Sequence, residues 1–264
     1  MRDVPENFAN KKKIIVIGGG ISGLTAAYRL LQAGFSVTVL ESTDHVGGRS
    51  HTVKKAGYTI DTGAGMIADS YHAYKELAKE LGLIDQIVAA SQYIGVIRDR
   101  KIHYLHTSNV LLSGIFTGVF SWGAKLRLIL AFIDVHLARK RGQLTYTDLT
   151  RAAPLDFETA EQYCKRRLNT ELSEYFSEPI VRGMMLTNSD RVSKVELLHG
   201  INNLFDVKVF GLRGGVNLFS QTLARHLDVK LNTPTTLVRS VDNGAEVTWQ
   251  QGGQQISEIV DGVV

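Results

Sequence analysis

The feature that most constrains this chain is a join between three local patterns. The apolar, β-branched run Ile14-Ile15-Val16-Ile17 leads straight into Gly18-Gly19-Gly20-Ile21-Ser22-Gly23, after which apolar residues recur at helical spacing through Ile21, Leu24, Tyr28 and Leu31. A strand, a G-x-G-x-x-G turn and a helix in that order form the dinucleotide grip of a Rossmann-like fold. Gly18 makes the tight turn, Gly20 lets backbone N–H groups approach a pyrophosphate, and Gly23 lets the helix pack on the sheet. The phosphates then meet unpaired N–H groups at the positive end of the helix dipole, with Gly19, Ile21 and Ser22 completing the loop. Gly34 fits the stop of that helix, and Ser36-Val37-Thr38-Val39-Leu40 reads as a second strand ending on Glu41, 18 positions after Gly23. A carboxylate there accepts hydrogen bonds from an adenosine ribose and would repel the 2′-phosphate of NADP.

The residues after Glu41 separate NAD from FAD. The segment Glu41-Ser42-Thr43-Asp44-His45-Val46-Gly47-Gly48-Arg49-Ser50-His51-Thr52, followed by Asp61-Thr62-Gly63-Ala64-Gly65-Met66, resembles the FAD-binding family of monoamine and polyamine oxidases, protoporphyrinogen oxidases and phytoene desaturases. The resemblance implies FAD as cofactor, with Gly47, Gly48 and Arg49 along the pyrophosphate and ribityl chain and Gly63, Ala64, Gly65 and Met66 brought against the cofactor. Physically, the two glycines permit close backbone approach, and the planar fork of Arg49 neutralises phosphate charge.

The 264 residues are enough to bury a substantial core in one large or two intermixed domains. A formal net charge of +4 is mild, and apart from Lys11-Lys12-Lys13 and Arg139-Lys140-Arg141 the basic residues are dispersed, so no nucleic-acid partner is expected. Such clusters do favour anionic lipid surfaces. The single cysteine, Cys164, excludes an intrachain disulfide and fits a reducing, cytoplasmic setting as a small half-buried residue. Met1 to Lys12 are polar, with no apolar core of a secretory signal. No metal is expected.

Thr52 to Lys55 and Tyr58 to Ile60 read as a hairpin, and about Ser70 to Leu81 as a helix stopped by Gly82. A second hairpin, Tyr93 to Ile97 with Lys101 to Leu105, opens a mainly helical stretch to about Phe205. The expected architecture is therefore an α/β FAD-binding domain with a parallel sheet and a β-meander, made of residues 1–75 and 205–264. Residues 76–204 form an inserted, mainly helical substrate lobe. Thr107 to Ala124 carry no formal charge, but polar residues interrupt the run and Lys125 ends it short of the ~20 residues that spanning requires. The next helix carries Leu126, Ile129, Leu130, Ile133 and Leu137 on one stripe; burial against the core is the expectation, and peripheral membrane contact the alternative. Helices are also expected over about Asp156 to Leu168 and Thr170 to Met184, the latter kinked at Pro179.

Phe176 to Met184, with Pro179 and Gly183, resembles the protoporphyrinogen oxidase branch of the same family, and Phe210 to Leu218 resembles the return from substrate domain to FAD domain. Lys230 to Leu237 resembles the strand whose backbone meets the adenine, with Thr235 at that position. Asp242-Asn243-Gly244 and Gln251-Gly252-Gly253 turn a three-stranded meander, and Asp261 to Val264 begin another strand of the parallel sheet. The resemblance covers nearly all of this chain and about the first half of a family member, so a further substrate segment and a final strand and helix are expected to follow.

The resemblance implies an enzyme in which flavin N5 takes a hydride from an activated C–H bond, with dioxygen or a quinone as the final acceptor. No catalytic side chain is assigned; His51 adjoins the Gly-Gly-Arg loop, where a solvated histidine is the simpler reading. Helices rich in Leu, Ile and Phe favour an apolar or amphiphilic small-molecule substrate such as a porphyrinogen. Amine oxidase or carotenoid desaturase-type activity is one alternative, and a non-catalytic nucleotide-binding module another.

Overall fold

The computed structural model describes residues 11–68, 71–91, 93–106, 109–145, 147–203 and 208–264. Most of the polar leader, the helix start at Ser70, the start of the uncharged run at Thr107 and the boundary at Phe205 lie outside these residues.

The first part of the chain forms β1 (Lys13–Ile17), α1 (Ile21–Gln32), β2 (Ser36–Leu40), β3 (Thr52–Lys55), β4 (Tyr58–Asp61), β5 (Ile67–Ala68), α2 (His72–Glu80) and β6 (Ile87–Ala89). The hairpin β7 (Tyr93–Arg98) and β8 (Lys101–His106) follows, then α3 (Val110–Phe116), α4 (Trp122–Lys140), α5 (Ala160–Arg167), α6 (Thr170–Leu172), α7 (Glu178–Met185) and α8 (Lys194–Asn203). The chain continues through β9 (Val209–Leu212), α9 (Asn217–Ala224), β10 (Asp228–Lys230), β11 (Thr235–Val241), β12 (Gly244–Gln251), β13 (Gln254–Val260) and β14 (Gly262–Val263).

Packing divides the chain into two units, Met1–Ala90 with Val209–Val264, and Ser91–Lys208. The first is built on a parallel sheet in the order β10-β2-β1-β14. Because side chains alternate along a strand, β1 and β2 supply both faces of this sheet. Ile14, Val16, Val37 and Val39 join Leu24 and Ala27 of α1 and Phe219 and Leu223 of α9 in one core. Ile15 and Leu40 point the other way and pack with Val247, Trp249 and Val260 of the antiparallel meander β11-β12-β13.

The boundary between units falls at residue 91, not at 76. Leu77 and Ala78 of α2, together with Leu83, are buried in the same core as β1 and α1. β6 pairs with β9, which also pairs with β5. Residues 76–90 thus complete the nucleotide-type unit, because a helical period announces a helix but not the core it joins.

The second unit is held from inside by Ala124, Ala131 and Val135 of α4, Tyr163 and Cys164 of α5, Leu172, Val181, and Leu197, Leu198 and Ile201 of α8. Burial pushes the Cys164 thiol up to about 11, so it stays protonated. Glu171 ties three elements together: it pairs with Arg98 of β7, and it accepts from the Ser121 backbone N–H (2.8 Å) and hydroxyl (2.6 Å) at the start of α4. The stretch from Thr170 to Met185 is α-helical, then one π turn over Ser173–Ser177, then α-helical again. Pro179 has no N–H to continue an α ladder from the preceding turn, and the wider turn sits immediately before it.

Of the stripe on α4, Leu130 packs against the core of this unit as expected, and the other four residues do not. Leu126, Ile129, Ile133 and Leu137 are 67%, 51%, 44% and 43% exposed, and Trp122 is 70% exposed, whereas Ala124, Ala131, Val135 and Ala138 on the opposite face are buried. The helix has two apolar faces, and the small one packs because it lets the backbone approach its neighbours closely. Among the described residues no helix is long and apolar enough to cross a membrane.

Candidate functional site

The site begins with strand ends. β1 and β2 run in register to Ile17 and Leu40, and Gly18 N–H then donates to the Leu40 carbonyl (2.8 Å), so both strands deliver their following loops to one edge of the sheet. Gly18 takes φ +103°, which only glycine adopts without strain. At Gly23 the constraint is space: a Cβ there would stand 2.1 Å from the Gly18 carbonyl oxygen. The turn can therefore fold back over the first turn of α1 only if residue 23 has no side chain. Gly20 caps α1 with no side-chain hydrogen bond, and the space at its own Cβ position is open. The start of α1 thus retains unpaired backbone donors beside open room, as an anion requires.

The loop after β2 is zipped onto this turn. Gly47 N–H donates to the Gly19 carbonyl (2.8 Å), and Gly20 and Gly47 form a parallel bridge. Gly48 and Arg49 follow at the surface; Arg49 is exposed and forms no ion pair among the described residues. The Ala64 N–H donates to the Arg49 carbonyl (3.0 Å), which brings Gly63-Ala64 against the same loop, whereas Met66 is 64% exposed. Ile21 packs into the core beneath, and Ser22 is exposed.

Glu41 is 7% exposed and hydrogen-bonded on both carboxylate oxygens. Its Oε2 accepts from Gly19 N–H (2.6 Å); its Oε1 accepts from Thr43 N–H (2.8 Å) and from the Thr43 and Ser42 hydroxyls (2.9 and 3.2 Å). Burial pushes the carboxyl upward, but the Thr43 and Gly19 amides and the two hydroxyls outweigh it and hold the group below the ordinary glutamate range. With a single donor on Oε2, one lone pair of that oxygen stays open for a ligand hydroxyl. Ser42 is thus placed as a partner of Glu41. Thr235, at the start of β11, pairs with Trp249, and its Oγ1 is buried without a hydrogen-bond partner among the described residues.

A second tier of residues was not singled out from the sequence. Thr52 donates to Asp61 across the β3-β4 hairpin (2.6 Å); Asp61 in turn accepts from Val216 N–H (3.1 Å), and Thr52 accepts from Asn217 N–H (3.1 Å). Two side chains of the β3-β4 hairpin therefore cap the start of α9. Asn217 Oδ1 is buried without a partner among the described residues, and it lies 2.5 Å from where a Cβ on Gly47 would be, so Gly47 (φ +113°) is confined by both conformation and contact. The only sequence signal was a short acid, Asp61, before Thr62-Gly63 and a Gly-Gly pair before a helix. His51 stacks on His45 with ring centroids 4.1 Å apart, and its Nδ1 lies 3.2 Å from Thr62 Oγ1. Among the described residues no group of His, Cys, Asp and Glu is placed to hold a metal ion.

Residues 21–264 match the family described as flavin containing amine oxidoreductase. The chain is 28% identical over 196 residues to coproporphyrinogen III oxidase of Bacillus subtilis, covering 69% of this chain and 38% of that protein. It is 27% identical over 203 residues to protoporphyrinogen oxidase 2 of Arabidopsis thaliana, covering 76% and 37%. Flavin-containing amine oxidase B of Mus musculus is 36% identical over 114 residues, covering 43% and 21%. Among solved structures, putrescine oxidase bound to putrescine matches with a TM-score of 0.72 at 21% identity, over 96% of this chain and 57% of that one. The chain thus spans well under two thirds of the length of each of these relatives.

Proposed function

This chain belongs to the flavin containing amine oxidoreductase family, whose cofactor is FAD, and we propose that it holds FAD on the Gly18–Gly23 turn and supports dehydrogenation of an apolar or amphiphilic substrate of porphyrinogen type. The observation that supports the reading is the bridge between the Gly18–Gly23 turn and the Gly47-Gly48-Arg49 loop, which joins a turn with an open glycine face to a loop whose exposed arginine has no ion pair among the described residues. In this reading the first amides of α1 and Arg49 hold the pyrophosphate, with Gly19, Gly20, Ile21 and Ser22 forming its bed. Glu41 takes the ribose, its carboxylate held ionised and aimed by the Gly19 and Thr43 amides. Gly48, Gly63, Ala64, Gly65 and Met66 line the path toward the ring, and Thr235 meets the adenine end. Bound FAD supplies a two-electron acceptor for the substrate C–H bond, with dioxygen or a quinone as terminal acceptor. The side chains bind, orient and exclude water; none is assigned a proton transfer.

The porphyrinogen-type preference rests on the two relatives of that name, whose matches span 69% and 76% of this chain. The 36% identity to amine oxidase B favours amine oxidation as the second reading. The test is anaerobic titration of the flavin-loaded protein. Bleaching of the flavin bands by coproporphyrinogen or protoporphyrinogen and not by putrescine or benzylamine supports the first reading; the reverse supports the second. A flavin bleached by none of them marks a non-catalytic nucleotide-binding module, and nicotinamide nucleotide alone on denaturation overturns the cofactor assignment.

Peripheral attachment to an anionic bilayer is a further part of the proposal. It is supported by the outward Trp122, Leu126, Ile129, Ile133 and Leu137 on α4, with Lys125 4.5 Å above the Trp122 ring and Arg139 and Lys140 in the last turn. Failure to sediment with phosphatidylglycerol liposomes at low salt would remove it.

A further inference from the structure

Within the helical unit, α4, α5, α8 and the 3-10 turn Leu149–Leu155 line an open cavity of about 400 Å3, inside the size range of small-ligand sites. Leu155 and Leu198 give it apolar walls, the partly exposed Leu137 and Phe157 form its rim, and its charged lining consists of Arg141, Arg166, Arg167, Lys194 and one carboxylate, Asp134.

Three of those cations are committed. Arg167 grips Asp134 through two hydrogen bonds (3.0 and 3.1 Å), and Arg166 and Lys194 share Glu158 (2.6 and 2.9 Å). The Tyr163 hydroxyl is also spent on Asp134 (2.8 Å). Two carboxylates against four cations leave a surplus of two positive charges around an apolar hollow. Arg141, just past the end of α4, has no carboxylate partner among the described residues. Gln143 also lines the cavity.

We propose that this cavity binds an amphiphilic carboxylate, with the apolar body against Leu155 and Leu198 and the carboxylate on Arg141. The charge selects the head group: one free guanidinium matches a single carboxylate through its fork of donors, whereas a dianionic phosphate would need a second free cation. The site uses no residue of the flavin reading, so either stands without the other.

The probe is octanoate, monomeric at the concentrations used, titrated calorimetrically into the full 264-residue chain alongside 1-octanol and octyltrimethylammonium. The expected result is one saturable octanoate site, with 1-octanol at least tenfold weaker and the cation not bound. Arg141→Gln should weaken octanoate at least tenfold, and Arg141→Lys, which keeps the charge but loses the planar fork, less so. Ile129→Ser, on the outward face of α4, should leave octanoate affinity and flavin content unchanged. Equal affinity for octanoate and 1-octanol, or loss of binding in Ile129→Ser with none in Arg141→Gln, overturns the proposal by placing the probe on the exposed ridge.

Discussion

The glycine-rich cradle and the helical unit solve the same problem, fixing loops and helices in place, with different materials. In the cradle the work is done by the backbone. Gly18 bonds to Leu40, Gly47 bonds to Gly19, Gly18 supplies the positive φ of the turn, and glycines at 23 and 47 leave out side chains that would collide with their neighbours. In the helical unit it is done by side chains: Glu171 ties Arg98 to Ser121, Asp134 ties Arg167 to Tyr163, and Glu158 ties Arg166 to Lys194. A backbone-built region tolerates few residue types at a few positions. A side-chain-built region spreads its requirements thinly and depends on ionisation.

That contrast is open to direct attack, and the largest effect is expected at Gly23. Gly23→Val places a Cβ within 2.1 Å of the Gly18 carbonyl, and the forced shift of the turn should cost about 3 kcal/mol in urea unfolding and abolish flavin retention. An unchanged midpoint with full flavin would show that the turn is not confined by contact.

Glu171→Gln comes next, at about 2 kcal/mol of lost stability, because a charge-assisted network spanning β7, α4 and α6 loses its anion. Burial alone would raise this carboxyl, but Arg98 and Ser121 overcome that and hold it at about 2. Since the folded value lies below the unfolded one, its contribution is present above the ordinary glutamate range and fades as pH falls from about 4.5 toward about 2. Stability curves of wild type and Glu171→Gln should therefore converge in that window; parallel curves would deny Glu171 its role.

Glu41→Ala should raise the FAD dissociation constant roughly tenfold, about 1.5 kcal/mol, by removing both the ribose acceptor and the partner of Gly19. An unchanged constant takes Glu41 out of the site. The smallest effect on stability belongs to Ile129→Ser, within about 0.5 kcal/mol, because the residue is half exposed. The same substitution should reduce sedimentation with anionic liposomes, and a large loss of stability would mean that the outward face of α4 is structural.

The same contrast explains what could be read from the chain beforehand. The strand, turn, helix and second strand from Lys13 to Leu40 are legible because each requirement is local, and the meander turns at Asn243-Gly244 and Gly252-Gly253 announce themselves in the same way. The caps on α9 were not legible: Asp61 and Val216 are 155 residues apart, and neither carries a mark naming the other. α4 misled for another reason. Its large apolar residues and its alanines both repeat at helical spacing, and periodicity alone cannot say which stripe the core takes. The boundary at 91 was missed because α2 looks the same whichever core receives Leu77.

One pairing sets the order in which the molecule can be completed. Lys13 N–H donates to Asp261 across 248 residues, and β1 lies between β2 and β14 in the sheet. Ser91–Lys208 forms its contacts within one continuous stretch, so during synthesis it can condense while β1 still lacks its partner on one side. Translation from Lys208 to Val264 takes roughly 3–11 s at about 5–20 residues per second. For that interval β1 presents one unpaired edge, the state in which an emerging chain is most exposed to wrong partners and chaperones. Pulse proteolysis of ribosome-bound chains should find the helical stretch protected before the N-terminal sheet. Simultaneous protection of both would contradict that order.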